Sequence, residues 1–478
     1  MLEDAYIIGH QSIAALLSIL LLGACIASAV PRAARLLAFI SLAGAGVAAA
    51  VLLGAVIDGG TVRYSIGGWS APIGIELAAD GIGSLMAMTT VLVMLTCLLA
   101  PGARKLSPTF WMMWLWSALA LVTLFLSIDL FNAYVALELV GLCAVALVAM
   151  AGGRTAMVAA ARYLLIGLVA SAFYLLGVAI VYAQTGALEL HAAIGALGAT
   201  SATGLALGLL SIGLLMKSAA FPFHGWLPSA HANAPAAASA VLSALVIKGA
   251  VVLSWRIWDA LPSGLVEPIV SVVIGALGLA AIGWGGAQAL RATRLKVILA
   301  YSTVAQVGFL LLVLAMVAGG NEAALGPGLL LLIVHSFAKA SAFCAAGMII
   351  LHLGSDRLDQ FKGLAARMPM TTIALAMAAV ALVGLPPSGS FVAKLELLSL
   401  AAADGQWLWV AGIIVGTFLS ALYLLRPLSM AFRDMDQHLA IENERGAIVP
   451  LLLALAAFVL IFAAGTIFDV VTLSGDAG

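Results

Sequence analysis

Apolar residues run through this chain in long blocks, separated by short breaks of charged residues, proline or glycine. A block of about twenty apolar residues is what one helix needs to cross roughly 30 Å of hydrocarbon. Dividing the chain at the breaks gives about fourteen such segments: 8–30, 36–57, 80–100, 109–128, 130–151, 160–184, 203–231, 236–258, 267–289, 295–318, 326–353, 371–402, 406–430 and 448–471. No polar stretch between them is long enough to fold as a separate water-soluble domain. The expected fold is therefore an all-α polytopic membrane protein, one domain over residues 1–478. The first segment follows an acidic rather than a basic stretch, which argues against a cleaved signal peptide.

Two segments are unusual because proline stands well inside them. The seventh contains Pro222, in "FPFHGWLP", and the twelfth contains Pro386 and Pro387, in "VGLPPSGSFVAKLE". Proline removes a backbone donor and clashes with the preceding turn, and in lipid the freed carbonyls need another partner. One such break reads as a packing kink. A pair of them in the two halves of one chain points to a transporter whose path runs past broken helices.

The chain is 64% hydrophobic and only 9% charged, values far from those of soluble domains. Its zero net charge conceals a division between faces. With alternating loops, Arg32, Arg35, Arg104, Lys105, Arg154, Arg162, Arg291, Arg294, Lys296, Arg357, Lys362, Arg367, Arg426, Arg433 and Arg445 share one side, against Arg63 and Arg256 on the other. By the positive-inside rule the first side is cytoplasmic and both termini face away from it. No basic run interleaves with aromatic residues, so nucleic-acid binding has no support. Cys25, Cys97, Cys143 and Cys344 stand singly in apolar segments, without metal-ligand spacing, and read as small buried side chains. No cofactor or metal is expected, and no catalytic centre of the chain's own.

The four remaining basic residues, Lys217, Lys248, Lys339 and Lys394, fall inside segments. A charge in hydrocarbon costs a few kcal/mol even on the gentlest insertion scale, so such residues are functional candidates. Desolvation disfavours the charged form of an amine, and a nearby carboxylate restores it, which suits lysine to holding and releasing a proton. Glu138 lies deep in the fifth segment and needs a cation; Lys217 is the first choice. That pair is a switch if it separates, or a static brace if it does not. His335 and Lys339 are four apart and share a helix face. Ser302, Thr303 and Gln306 add hydroxyl and amide groups for a water-bridged path, or simply for hydrogen bonds between helices. Glu396 is a candidate exit group near the outer end of the twelfth segment. His224 and His231 flank the first break, as gate or access residues or as structural histidines.

"MKSAAFPFHGWLPSAHANAPAAASAVLSALVIKGA" resembles the signature of the antiporter-like subunits shared by respiratory complex I, membrane-bound hydrogenases and Mrp-type Na+/H+ antiporters. "RLKVILAYSTVAQVGF", "HSFAKASAF" and "GLPPSGSFVAK" look like further hallmarks, and "IGGWSAPIGIELAADGIGSLM" is most similar to the D-type Mrp polypeptide and its hydrogenase relatives. The resemblance implies a fourteen-helix core with two inverted five-helix repeats, here 109–258 and 267–430, preceded by helices over 8–100 and followed by 448–471. It implies that Glu138 matches the fifth-helix glutamate, Lys217 its seventh-helix partner, Lys248 the bridging eighth-helix position and Lys394 the twelfth-helix lysine. His335 and Lys339 match eleventh-helix positions of some members. Ser229 stands where relatives often carry aspartate, which removes an acid from that gate.

The reading that follows is a proton or Na+/H+ translocating subunit of a multisubunit complex in a bacterial-type inner membrane. Its partners are other membrane subunits, H+, Na+ and lipids. Two alternatives remain: a structural anchor with a vestigial channel in a hydrogenase-, complex I-like or carbon-uptake assembly, and an autonomous secondary transporter.

Overall fold

A computed structural model describes residues 2–100, 102–433 and 443–472. Every expected segment is helical. The first six are α1 (Leu2–Ala29), α2 (Ala34–Gly59), α3 (Gly81–Cys97), α4 (Pro108–Leu126), α5 (Leu130–Ala149) and α6 (Gly153–Thr185). A short α7 (Leu190–Gly195) leads to α8 (Ser201–Lys217) and α9 (Trp226–Asn233), the two halves of the seventh segment. The eighth is α10 (Ala236–Val241), a π-helical turn (Leu242–Val246) and α11 (Ile247–Asp259). Then come α12 (Pro268–Arg291), α13 (Leu295–Ala318), α14 (Leu325–Leu353), a single turn α15 (Leu364–Arg367), α16 (Pro369–Val383) and α17 (Gly389–Ala403), α18 (Trp407–Ala431), and α19 (Ile448–Val459) with α20 (Ala464–Thr472). Among the described residues, eleven helices are long and apolar enough to cross a membrane, and α3, α8 and α16 are shorter apolar ones.

Local chemistry fixes the helix ends. Asp80, Asp129 and Thr200 cap α3, α5 and α8, each accepting from a backbone N–H three residues on. Both broken segments open earlier than their prolines: α8 already ends at Lys217, and α16 ends at Val383 on Gly384, whose φ of 84° is left-handed.

Apolar chains such as Val47, Leu165, Phe418 and Phe462 are exposed around the outside, as a helix bundle in hydrocarbon requires. The π-turn with α11, α13 and α14 form the buried centre. Small residues let helices approach there without a hydrophobic drive between them. A Cβ added at Gly308 would lie 2.5 Å from the Gly278 carbonyl oxygen, and one at Gly285 would lie 2.7 Å from the Ala305 nitrogen, so α12 and α13 touch backbone to backbone.

Four features depart from the sequence expectation, one of them being Cys25, expected buried but exposed. Val62–Ser65 and Glu76–Ala79 form an antiparallel hairpin, β1 and β2, at one end of the bundle. Arg256 and Lys296, which the charge pattern counts with the flanking faces although both lie just inside segment ends, are buried in α11 and α13. Arg256 donates to Asp80 at 2.6 Å and to the Ser127 carbonyl at 3.1 Å, joining three elements. Cys97 and Cys344, isolated in sequence, meet with their sulfurs 3.9 Å apart.

Candidate functional site

At the first break, Lys217 is the last residue of α8, where helix carbonyls already favour a cation. Its Nζ lies 2.8 Å from Glu138 Oε1 on α5. The same carboxylate oxygen accepts from Ser171 on α6. Trp226 seals the far side: its Nε1 donates to the Met216 carbonyl at 3.1 Å and its ring stacks on Tyr163. A cavity of about 30 Å³ remains between Lys217, Tyr163, Trp226 and Val246 of the π-turn, room for a water.

The centre is built on α14. Lys248 lies two residues past the π-turn, a local widening frequently found at functional positions. Lys248 donates to Ser336 Oγ at 2.7 Å, and Lys339, one turn further along α14, donates to the Leu299 carbonyl at 2.7 Å and to Ser302 Oγ. Both lysines are fully buried, and their hydrogen-bond partners are neutral. The Thr303 and Ser243 hydroxyls share a hydrogen bond at 2.8 Å, tying α13 to the π-turn. His335 is buried on the same helix, with neither ring nitrogen hydrogen-bonded, and Lys248, Lys339 and Lys394 all act on it electrostatically.

At the second break the ends of α16 are held by side chains. Gln306 Nε2 donates to the Leu382 carbonyl at 3.0 Å, and Lys394 Nζ donates to the Val383 carbonyl at 2.8 Å. These are carbonyls that the helix leaves without an internal partner. Lys394 also reaches Thr417 Oγ1 at 3.3 Å and lies 4.1 Å from the centre of the Phe309 ring. Gly384 makes room for it: a Cβ there would lie 3.0 Å from Lys394 Cδ. The two breaks thus differ. Lys217 has a carboxylate, while Lys394 is held by neutral groups.

The remaining candidates lie toward the ends. Glu396 lines a cavity of about 660 Å³ together with Asp80, Asp259, Glu322, His191 and Arg256. At the start of α5, burial pushes the Asp129 carboxyl up, against the N–H groups of Asn132 and Phe131, and Glu189 pushes the same way. His224 Nε2 accepts from Trp284 Nε1 at 3.0 Å. His231 is fully buried against the Phe343 ring, 4.8 Å between centres, and neither of its nitrogens has a hydrogen-bond partner. Ser229 donates to its own helix at the Trp226 carbonyl.

The geometry brings Glu138 to Lys217 and gathers Lys248, His335, Lys339, Ser302 and Thr303 on three packed helices. Ser171, Ser336, Thr417 and Phe309, which complete these contacts, carried no sequence signal. A hydroxyl or ring within an apolar helix looks the same whether or not it faces a lysine.

Comparison with known proteins gives a consistent answer. Residues 127–420 match the family described as NADH:quinone oxidoreductase/Mrp antiporter, transmembrane. The NADH-quinone oxidoreductase subunit N of Desulforudis audaxviator (strain MP104C) is 36% identical over 395 residues, covering 80% of this chain and 78% of that protein. A Na(+)/H(+) antiporter subunit of Bacillus subtilis (strain 168) is 28% identical over 404 residues, covering 83% and 81%. Among solved structures, a chain of the membrane-bound sulfane sulfur reductase, an archaeal respiratory membrane complex, superposes with a TM-score of 0.90 at 26% identity, covering 97% of this chain and 96% of that one.

Proposed function

Because the chain belongs to the transmembrane family shared by NADH:quinone oxidoreductases and Mrp antiporters, we propose that it translocates protons as one membrane subunit of a larger complex. The path is a relay of Glu138, Lys217, Lys248, Lys339 and Lys394, with His335 between the last three. The observation that carries this reading is the pair of unlike breaks: one lysine meets an acid, the other a helix end and an aromatic ring. Separating Glu138 from Lys217 removes the attraction that keeps the amine protonated, and the proton leaves toward the π-turn and Lys248. At the far break, the Val383 carbonyl and Phe309 favour a cation without binding it as firmly as a carboxylate would. The chain carries no redox chemistry in this scheme; its neighbours drive the separation.

Two inverted repeats, 109–258 and 267–430, underlie the scheme. The support is a matched pair of backbone bridges. Asp129 pairs with Glu189 and Arg294 with Arg357, each joining the loop after a repeat's first helix to the loop after its third. The first bridge is acidic and the second basic, as opposite ends of the bundle require. The fourteen crossings and the outward placement of both termini belong to the same proposal.

The test is proton uptake by the complex reconstituted in vesicles. Lys217→Ala and Lys394→Ala should each reduce it about tenfold or more, since 1.4 kcal/mol at one relay position already accounts for a factor of ten. Undiminished uptake in either variant removes the relay.

A further inference from the structure

Cys97 and Cys344 take no part in the relay, and both are fully buried. Their sulfurs lie 3.9 Å apart, each the hydrogen-bond partner of the other. Cys97 is the last residue of α3, and Cys344 lies within α14, five residues beyond Lys339. Among the described residues no three or more His, Cys, Asp or Glu side chains are grouped to hold a metal ion, so the pair lacks the four ligands of a structural zinc site. The two helices differ in freedom. On α14, a Cβ added at Gly347, three residues past Cys344, would lie 2.6 Å from Ala236 Cβ of α10, so α14 has no slack on that side. By contrast α3 stops at Cys97, and the chain beyond it reaches Gly102 in the left-handed conformation, at a φ of 75°. Helix ends open locally more readily than helix middles. A cavity of about 360 Å³ adjoins both carriers: its walls include Gly102 and Ala103, past the end of α3, and Gly347 and Ile350 on α14. A small polar molecule in that cavity is within one helical turn of Cys344.

We propose that Cys97 and Cys344 are a modification site, a dithiol that hydrogen peroxide closes to a disulfide, and that the bond slows transport by tying the end of α3 to the central helix α14. The site itself is independent of the relay; only its effect on transport rests on that reading. Peroxide is small and neutral, so the cavity admits it, whereas a bulky disulfide reagent cannot reach a fully buried pair. Opening of the α3 end exposes one thiol, which loses its proton and attacks a peroxide oxygen. An S–O bond forms, the O–O bond breaks, and the departing hydroxide takes the proton and leaves as water. The second sulfur, already in contact, attacks the sulfenic sulfur: an S–S bond forms, the S–O bond breaks, and a second water leaves with the second thiol proton. Two thiols lose two electrons and one peroxide becomes two waters. The sulfurs must close from 3.9 Å to bonding distance, and the α3 end supplies most of that movement because α14 is packed tight. The remaining pull falls on α14 beside Phe343, whose ring stacks on His231 with 4.8 Å between centres, and near Lys339, which donates to the Leu299 carbonyl at 2.7 Å.

The test uses the whole complex in vesicles, on a Cys25→Ala background because the Cys25 thiol is exposed. Hydrogen peroxide is added and removed, proton uptake is read by a pH dye, and peptides are mapped by mass spectrometry without reduction. Treatment should yield a Cys97–Cys344 linked peptide and lower uptake several-fold, since a misplacement of about 1 Å at a working site can cost up to a hundredfold. Dithiothreitol should break the link and restore uptake. Cys97→Ala and Cys344→Ala should each transport normally before treatment and lose the peroxide response, and either one suffices if the other fails to fold. Absence of the linked peptide, a link that leaves uptake unchanged, or inhibition that persists in the single variants each overturn the proposal. Lys394→Ala in the same vesicles keeps the two readings apart. Normal uptake there defeats the relay, while the linked peptide still reports on the cysteine pair by itself.

Discussion

Whether the Glu138–Lys217 pair is a moving part or a brace is decided by removing its charges singly and together. The two groups are 2.8 Å apart, with side chains 23% and 11% exposed. Deleting one partner leaves the other charge unpaired in a poor solvent, which costs about 3–5 kcal/mol for a buried pair. The partial exposure of Glu138 places this pair at the low end, about 3 kcal/mol, or roughly a hundredfold in the population of the charged partner at 1.4 kcal/mol per tenfold. Glu138→Gln and Lys217→Met should therefore each lower both the thermal stability of the complex and its proton uptake. In the double variant neither charge is left unpaired, so stability returns to near wild type. Uptake does not return, because the break then holds no group able to bind the proton. The assay is uptake in vesicles beside thermal unfolding of the purified complex, for all four members of the cycle. A double variant that recovers transport along with stability would make the pair a brace and refute the relay at its first step.

Other consequences follow from single contacts. Gly384→Ala should cost about 1–2 kcal/mol from its left-handed backbone alone, and should push on Lys394; the check is a lower unfolding temperature together with slower uptake, while Gly153→Ala, equally left-handed but with open space around it, lowers the unfolding temperature and leaves uptake unchanged. Arg256→Met leaves Asp80 without its ion partner and should destabilise the complex by about 3–5 kcal/mol, seen in thermal unfolding. Asp129→Asn keeps the helix cap but removes a titrating group. Because burial raises its carboxyl above the ordinary 3.8, its contribution to stability is present below that value and is lost as pH rises through the higher folded value. The variant should therefore gain stability relative to wild type as pH rises above about 4, and an unchanged difference counts against the assignment.

Much of the fold was legible because lipid leaves few alternatives. Backbone groups in hydrocarbon must pair internally, so a long apolar run has to be helical, and the runs could be read off directly. The four intramembrane lysines and Glu138 were visible because a charge among apolar residues stands out. What stayed hidden was partnership. Serine, threonine and phenylalanine belong in membrane helices for packing reasons alone, so nothing marked Ser171, Ser336 or Phe309 as the groups facing those charges. The π-turn was equally silent, since "VLSALVIKG" reads as an unbroken helix. Arg256 and Lys296 look like loop residues because they lie close to segment ends, and a rule that counts charges cannot see which of them turn inward.

Lys296 shows why that last failure matters. Counted as a topogenic charge, it helps to orient the chain; placed by the fold, it is buried, with its amine on the Ala234 carbonyl at the α9 cap and its backbone N–H on Asp356. The two roles do not conflict, because a charge kept at one end of the bundle during insertion can afterwards tie that helix end to its neighbours. Asp80, Asp259, Glu322 and Glu396 collect around one cavity at the other end of the bundle. Of the inner lysines, Lys217 meets a carboxylate, while Lys248, Lys339 and Lys394 donate to neutral groups. In the proposed relay Lys217, the one of the four inner lysines paired with an acid, is the position where moving a single side chain would change the local charge balance most.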